Sequence, residues 1–393
     1  MSSAPEAASP SRVADEGVLV VGAGISGLAC ARALHDAGVP VRVVDRGRVP
    51  GGRLATKRVE GRPADIGARY FTVPEGSSFE GSPFEDLVGS WRHRGLVREW
   101  TDTFSALTVD DSGAVTAREL KTGPMRFAAP GGLRSLATDL AASLESDGVT
   151  ITQGLEVSAV EVVAGAGDPG AGVAVDGVPY GAVVLAMPDP QAKRMLAPGS
   201  PASDALSGAD AWEPTLSVVL SYEARHWSPE LHGAFVGGSS VLAFVADDGD
   251  RQGDGAPVLV AHTTGAFARE HLEHPETAAD AVVAAVRALF EIEAAPVSVV
   301  VHRWTFANPA RQHDEPFGLV GAIGVCGDSW GERSSVSTAW ASGDGLGREL
   351  ARRLAPAGDG SENVVAPDAD ELERRAGTRS PAGGDDAVAG DAP

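Results

Sequence analysis

The apolar positions change period several times along the chain. VLVV (18–21) is a short β-branched run of the kind buried on both faces of a parallel sheet. The following SGLACARALHDAG sets Leu28, Ala31 and Leu34 at helical spacing and stops at Gly38, where a left-handed residue ends a helix. VRVVD (41–45) then reads as a second strand, so the first segment predicts a β-α-β unit. Farther on, PGGLRSLATDLAASLESDG predicts another helix, and TITQGLEVSAVEVV predicts extended chain entering a hairpin whose return arm is GAVVLAMP. Over 212–304, PTLSVVLSYE, SVLAFVADD, APVLVAHTT and PVSVVVHRW are strand candidates and ETAADAVVAAVRALFE a helix, a succession that predicts a mixed or antiparallel sheet and a second domain. GLVGAIGVCGDSWG returns to a strand and a glycine turn, and SSVSTAWASGDGLGRELARRL predicts a helix to Leu354. The chain leaves a dinucleotide domain, builds another and comes back.

Between the first strand and helix stands Gly22-Ala-Gly24-Ile-Ser-Gly27, a G-x-G-x-x-G spacing in the context that phosphate binding requires. Gly22 permits the tight turn, Gly24 lets a pyrophosphate approach the backbone, and Gly27 lets the helix pack closely on the sheet. The helix N-terminus offers free N–H groups and a partial positive charge. Asp45, closing the second strand, is placed to accept from ribose hydroxyls. A second match, Gly165-Ala-Gly167-Asp-Pro-Gly170, precedes the strand GVAVDGV rather than a helix and holds a proline, so it reads as a hairpin loop. The first motif admits NAD and FAD alike.

Composition narrows the partners. The 393 residues are 43% apolar, enough for a sizeable core and two joined domains. Acidic residues outnumber basic ones by 54 to 32, a net charge of -22, which argues against nucleic acid and anionic membrane surfaces. No apolar run reaches the roughly 20 residues of a membrane span, and MSSAPEAASPSRVADEG lacks a signal-peptide pattern, so a cytoplasmic protein is expected. Residues 1–16 and 356–393 are small, polar and Pro/Gly-rich, and are expected to be disordered tails. Cys30 and Cys326 alone build neither a disulfide framework nor a four-cysteine zinc site, and are expected to be buried, inert thiols. His93, His226, His262 and His302 show no metal-ligand spacing, so no metal is expected.

After Asp45 comes a long irregular passage, RGRVPGGRLATKRVEGRPADIGARYFTV, where a nicotinamide dehydrogenase would continue into its next α/β unit. It resembles the flavin-binding amine oxidase superfamily, in which a GGR segment follows the ribose carboxylate and a D-x-G-A segment lies by the isoalloxazine. Within that group the chain is most similar to the renalase-type NAD(P)/FAD-dependent oxidoreductases. GGRLATKR, DIGARYFT, AVVLAMPDPQAKRML, HRWTFANP and VCGDSWGERSSVSTAWASG carry the likeness, in family order, across about 18–350.

The resemblance implies an α/β fold with an α+β second domain. A Rossmann-like FAD-binding domain of the glutathione-reductase/amine-oxidase type (17–77, 125–195 and 305–355) would carry an inserted mixed-sheet substrate domain (78–124 and 196–304). FAD would be held non-covalently, because Cys326 lies at the ribityl end, away from the flavin 8-methyl group. Gly22, Gly24 and Gly27 would face the pyrophosphate, Asp45 and Arg46 the adenosine end, Gly52 and Arg53 the phosphate or flavin region, and Gly67 and Ala68 the isoalloxazine. Val157 would meet adenine through its backbone, and Gly327 and Asp328 the ribityl and pyrophosphate groups. The helix opening near Val336 would aim its N-terminus at the pyrimidine ring. One departure stands out: Ser335-Val336-Ser337 replaces the superfamily's Arg-Val-Glu.

Arg69, Tyr70, Phe71, Trp304 and Phe306 are candidates to line the substrate site, although core packing explains the aromatic ones as well; Trp212 and Trp330 read more simply as core. The implied reaction is an oxidase accepting a hydride at flavin N5 from a small dihydropyridine-type donor such as isomeric NAD(P)H, with O2 reduced to H2O2. Aromatisation drives such a donor, which fits the lack of an obvious acid–base pair. The alternatives are an amine oxidase or desaturase acting on a secondary metabolite, and a non-catalytic flavin-binding or redox-sensing protein. The oligomeric state is left open. Heating the purified protein is expected to release a yellow, flavin-absorbing chromophore; a colourless supernatant would exclude FAD as the tightly held ligand.

Overall fold

A computed structural model describes residues 17–74, 82–163, 172–206 and 211–355. The chain opens with β1 (Val18–Val21), α1 (Ile25–Asp36) and β2 (Val41–Asp45). β1 is buried at every position and β2 at alternate or adjacent ones, as two-sided burial demands. Gly38, at φ +77°, ends α1 in the left-handed region. An antiparallel pair, β3 (Thr56–Val59) with β4 (Arg62–Asp65), and the short β5 (Phe71–Thr72) follow. Next come α2 (Pro83–His93) and a long hairpin of β6 (Arg98–Val109) and β7 (Val115–Ala128). The sequence pattern does not reveal this hairpin, because β7 is exposed on both faces over most of its length and so lacks a period of two.

Beyond α3 (Arg134–Ser146), β8 (Thr150–Gln153) pairs in parallel with β2. The expected hairpin after it is corrected. β9 (Val160–Val162) returns through β10 (Val173–Val175) and β11 (Val178–Tyr180), whereas GAVVLAMP carries β12 (Ala182–Leu185), which pairs in parallel with β1. The cause is burial: all four residues of β12 are covered on both faces, which a hairpin arm with one solvated face does not provide. Then follow β13 (Trp212–Ser221), β14 (Gly233–Gly237), β15 (Leu242–Asp247), α4 (Asp248–Gln252), β16 (Val258–Thr263), α5 (Ala279–Phe290) and β17 (Ser298–Pro309). The chain closes with β18 (Gly318–Val320), β19 (Ile323–Val325) and α6 (Val336–Leu354).

Two large sheets result. The six-stranded one, β18-β19-β12-β1-β2-β8, is parallel except for β18; Val20 faces Val184 on one side and Val43 on the other. The eight-stranded one, β17-β13-β16-β15-β14-β6-β7-β5, is antiparallel except where β14 meets β6. Its two faces have different neighbours. Val218, Leu220, Val245 and Leu259 pack with Val282 and Val286 of α5, while Val219, Val258 and Val260 pack with Ala55, Val59, Ala64 and Ile66 around β3 and β4. The second face looks toward the glycine-rich loops, and on it Ser217, His262 and His302 stand in one register row.

The described residues up to Leu354 belong to one compact unit. β7 and β17 run unbroken through 124/125 and 304/305, where two of the expected domain borders lie. The expected tails at 1–16 and 356–393, and the second glycine motif at 165–170, lie outside the described residues. Among the described residues no helix is long and apolar enough to cross a membrane.

The small residues of α6 have a steric purpose. A Cβ at Gly343 would lie 1.9 Å from the carbonyl oxygen of Ser26, and one at Gly347 2.6 Å from that of Cys30, so α6 rests on α1 at backbone distance. Gly343→Leu is expected to lower the free energy of unfolding by at least roughly 1–3 kcal/mol through overpacking. Gly89→Ala, in α2 with nothing within 4 Å of the added carbon, should raise it by about 0.5–1 kcal/mol. Urea denaturation of both variants checks the pair.

Candidate cofactor and substrate site

At the head of β1 the three motif glycines separate by role. Gly22 has φ +117°, and a Cβ there would lie 2.4 Å from the carbonyl oxygen of Ala186; one at Gly27 would lie 1.9 Å from that of Gly22. These two glycines are required by the turn and by the packing of α1. Gly24, by contrast, has nothing within 4 Å of an added carbon, which leaves open space where a pyrophosphate would approach. It is also the N-cap of α1 and supplies no side-chain cap, so the first N–H groups lack the side-chain acceptor that a capping residue brings. This cradle fits FAD. The Asp45 carboxylate accepts from the N–H groups of Ala23 and Gly47, each at 2.6 Å, which fixes it at the strand end; a carboxylate keeps further lone pairs for ribose hydroxyls. Arg46 is exposed beside it, and Val157 is buried with Leu19, Val21 and Val44 beyond β8.

The GGR turn lies against this cradle. Gly51 N–H donates to the Ala23 carbonyl at 2.9 Å, and a Cβ on Gly52 would meet the Gly24 Cα at 3.5 Å. Arg53 pairs with Asp328 at 2.5 Å and lies over the Trp212 ring at 5.1 Å. Two residues from opposite ends of the chain thus form one ion pair. Asp328 also accepts from the Ser334 hydroxyl, and Gly327 N–H donates to the Ser342 hydroxyl at 3.2 Å. At the start of α6, where the superfamily has arginine, the Ser335 hydroxyl accepts from Thr338 N–H at 3.0 Å and caps the helix. Val336 and Ser337 are buried in its first turn.

The D-x-G-A loop rests on that turn in the same way. Ala68 N–H donates to the Arg53 carbonyl at 2.8 Å, and a Cβ on Gly67 would lie 2.0 Å from that oxygen. Asp65 is fully buried. One of its oxygens accepts from Thr56 Oγ1 at 2.6 Å and Leu133 N–H at 2.9 Å, the other from Gln252 Nε2 at 3.0 Å. Burial pushes its pKa up, and the Arg251 guanidinium opposes that push. Arg251 pairs with Asp248 and donates to the carbonyls of Asp65 and Arg69, both at 2.9 Å. From the eight-stranded sheet, Ser217 Oγ and Trp304 Nε1 both donate to the Ile66 carbonyl. The loop is therefore clamped from two sides.

What it presents to the interior is Arg69. Its Nε donates to His262 Nδ1 at 3.4 Å, and its guanidinium lies 4.9 Å above the Phe244 ring. Surrounding protein lowers its pKa by desolvation, although the residue as a whole is half-buried rather than sealed. His262 is buried and its pKa is held well below the ordinary value, first by burial and then by Arg69 and Arg251, so it is neutral. Since Nδ1 accepts, Nε2 is assigned the hydrogen, and that donor has no partner among the described residues.

The other aromatic candidates divide. Tyr70 packs edge to face on Phe104 at 5.3 Å, near Arg69. Phe71 points into the core instead, stacked on Phe127 at 5.4 Å. Trp304 contacts His302 at 4.7 Å, and Phe306 packs on Trp212 at 6.5 Å, below Arg53. Trp330 stacks on His313 at 3.7 Å, and His313 Nε2 lies 3.5 Å from the buried Asp189, a grouping that no local spacing announces. Arg126, over the Phe104 ring at 4.2 Å, is likewise announced by no local pattern. Both cysteines are fully buried, and burial pushes the Cys326 thiol up to about 12 and raises that of Cys30 well above its ordinary value. His93 and His226 are exposed, and no described group of His, Cys, Asp and Glu is arranged to hold a metal ion.

Residues 20–80 match the NAD(P)-binding Rossmann-like domains, and residues 97–344 match the family described as flavin containing amine oxidoreductase. Polyamine oxidase 1 of Oryza sativa subsp. japonica is 37% identical over 119 residues, 28% of this chain and 22% of that protein. Hydroxyneurosporene desaturase of Rubrivivax gelatinosus is 45% identical over 56 residues, 14% of this chain and 11% of the relative. The matched stretches thus span less than a quarter of either relative. Cyclohexylamine oxidase from Brevibacterium oxydans superposes with a TM-score of 0.65 at 15% identity, covering 86% of this chain and 99% of that one. A putative protoporphyrinogen oxidase from Exiguobacterium gives 0.64 at 14% identity, covering 85% and 98%. At such identities the likeness is one of fold.

Removing the strand-end carboxylate tests the cradle. Asp45→Ala is expected to weaken FAD binding by roughly 10- to 100-fold, read by equilibrium dialysis of the flavin. Unchanged affinity would mean that the ribose lies elsewhere.

Proposed function

Because the chain belongs to the flavin-containing amine oxidoreductases and FAD is its cofactor, we propose that it oxidises a small hydride donor of the dihydropyridine type, such as isomeric NAD(P)H, as a member of the renalase-type branch. Bound FAD supplies the hydride acceptor at N5 and O2 the terminal oxidant, with release of H2O2. The six-stranded sheet with α1 and α6 would form the cofactor domain, and the eight-stranded sheet would wall the substrate. Gly24 and the α1 N-terminus would receive the pyrophosphate, Asp45 the adenosine ribose, and the Arg53–Asp328 pair the ribityl and phosphate end. The capped N-terminus of α6 would favour negative charge on the pyrimidine side.

The observation that carries the choice of donor is Arg69, a guanidinium set between His262 and the Phe244 ring with no carboxylate beside it among the described residues. A second cation within about 4 Å of it would meet a repulsion of about 4 kcal/mol at an effective dielectric of about 20, which works against a protonated amine. A dihydropyridine brings no such charge. It also needs no proton acceptor, and neutral His262 offers the recess a hydrogen-bond donor rather than a base. Trp304 and Tyr70 would flank the donor ring.

A second reading, an amine oxidase, is favoured by a separate feature. The Trp212–Phe306 pair offers aromatic surface to an uncharged amine, and one sequence relative is named for polyamine oxidation. Anaerobic stopped-flow reduction of the FAD-loaded protein separates the two. Borohydride-generated NAD(P)H isomers are expected to bleach the flavin rapidly while ordinary β-NAD(P)H and putrescine do not. Bleaching by amines with inert isomers would replace the first reading by the second.

A further inference from the structure

Buried arginines in this protein come with carboxylates. Arg251 pairs with Asp248, Arg225 with Asp247, Arg62 with Asp248 and Asp254, and Arg53 with Asp328. In a chain with 54 acidic residues against 32 basic ones, such partners are plentiful. Arg98 and Arg287 donate to backbone carbonyls instead, and Arg134 lies in the field of Asp65. Arg69 and Arg126 have neither a carboxylate nor a carbonyl partner among the described residues, and both adjoin the same aromatic cluster. Arg69 lies over Phe244. Arg126, only 8% exposed, lies 4.2 Å above Phe104 and 5.5 Å from the Tyr70 centroid. Phe104 and Phe244 are themselves in edge contact at 5.5 Å. Neither guanidinium has an ion pair among the described residues, and Nη1 of Arg126 has no hydrogen-bond partner. The carboxylate that reaches this cluster, Asp250, is already taken by Trp100 at 2.6 Å and His232 at 2.7 Å.

An unpaired buried charge is costly, and a cation–π contact offsets only part of the lost hydration. Arg126 is only 8% exposed and Arg69 is strongly desolvated, so leaving both without an anionic or carbonyl partner is costly unless something else neutralises them. We propose that Arg69 and Arg126 form an oxyanion subsite that receives the negative group of the substrate: the diphosphate of a dinucleotide donor or a carboxylate on a ring donor. The rings of Phe104, Phe244 and Tyr70 form the apolar floor beside it, and the unpartnered Nε2–H of His262 adds a neutral donor. The proposal rests on the reading that substrate oxidation occurs in this recess. The net charge of -22 makes the pull specific to the recess, since the protein as a whole repels anions.

The test is a titration of the FAD-loaded protein with benzoate and, separately, with benzylamine, read as perturbation of the flavin absorbance, followed by displacement of benzoate with inorganic pyrophosphate. Benzoate is expected to bind at least roughly tenfold more tightly than benzylamine, and Arg69→Met and Arg126→Met each to weaken it by roughly 10- to 100-fold, while Arg69→Lys retains part of the affinity. Displacement by pyrophosphate would identify the diphosphate as the natural anion, and its failure the ring carboxylate. Equal binding of benzylamine and benzoate, or benzoate binding that survives both methionine variants, overturns the subsite. Should Arg69→Met lose its flavin, the wild-type charge series and Arg126→Met still decide. A protein that holds benzoate through these arginines yet is reduced by no dihydropyridine keeps the subsite and loses the donor assignment.

Discussion

Backbone meets backbone at the centre of this protein, and side chains are sterically barred there. A Cβ at Gly27 would lie 1.9 Å from the Gly22 carbonyl oxygen, at Gly67 2.0 Å from that of Arg53, and at Gly343 1.9 Å from that of Ser26. None of these neighbours is the free end of a flexible side chain, so no rotamer change relieves them. The G-x-G-x-x-G loop, the GGR turn, the D-x-G-A loop and the last helix are consequently stacked at fixed separations. Asp45, Arg53, Asp328 and Arg69 inherit their positions from that stack, and open space is left above Gly24 alone among the three motif glycines.

Polar clamps complete what the glycines begin. The Ile66 carbonyl takes two donors from the eight-stranded sheet, Asp65 takes three, from β3, from Leu133 at the N-cap of α3 and from α4, and Arg251 ties the carbonyls on either side of the loop. Asp65 thus serves architecture, although it stands in the motif that recommends it for function. Its burial is tolerable because each oxygen is satisfied. Holding the loop this firmly is what lets Arg69 remain without an acid partner among the described residues: its backbone is fixed by others, and its side chain rests on His262 and the Phe244 ring.

Some elements were legible locally and some were not. β1, α1 and β2 were plain because two-sided burial and helical period are written within a few residues of each other. β7 lacks a period of two because most of it is exposed on both faces, and in β6 the buried positions change phase between Trp100/Phe104 and Leu107/Val109. GAVVLAMP was recognised as a strand but assigned to the wrong partner, since strand pairing is decided across the chain and not within the segment. Tyr70 and Phe71 show the same limit at the scale of one residue: adjacent on an extended chain, they face opposite ways, one beside Arg69 and the other into the core.

The glycine spacing, the carboxylate of Asp45 at the strand end, the long irregular loop that follows it, and the class of fold were all determined by the sequence itself. Each is a demand of local sterics or local period, and glycine is the one residue that meets the tightest of them. Only the tertiary structure decided that Arg53 finds Asp328, that Ser335 caps α6, that Phe71 is core, and that Arg69 and Arg126 find no acid among the described residues. Charge partners are chosen among segments far apart along the chain and brought together by packing, and no short stretch of sequence carries that information.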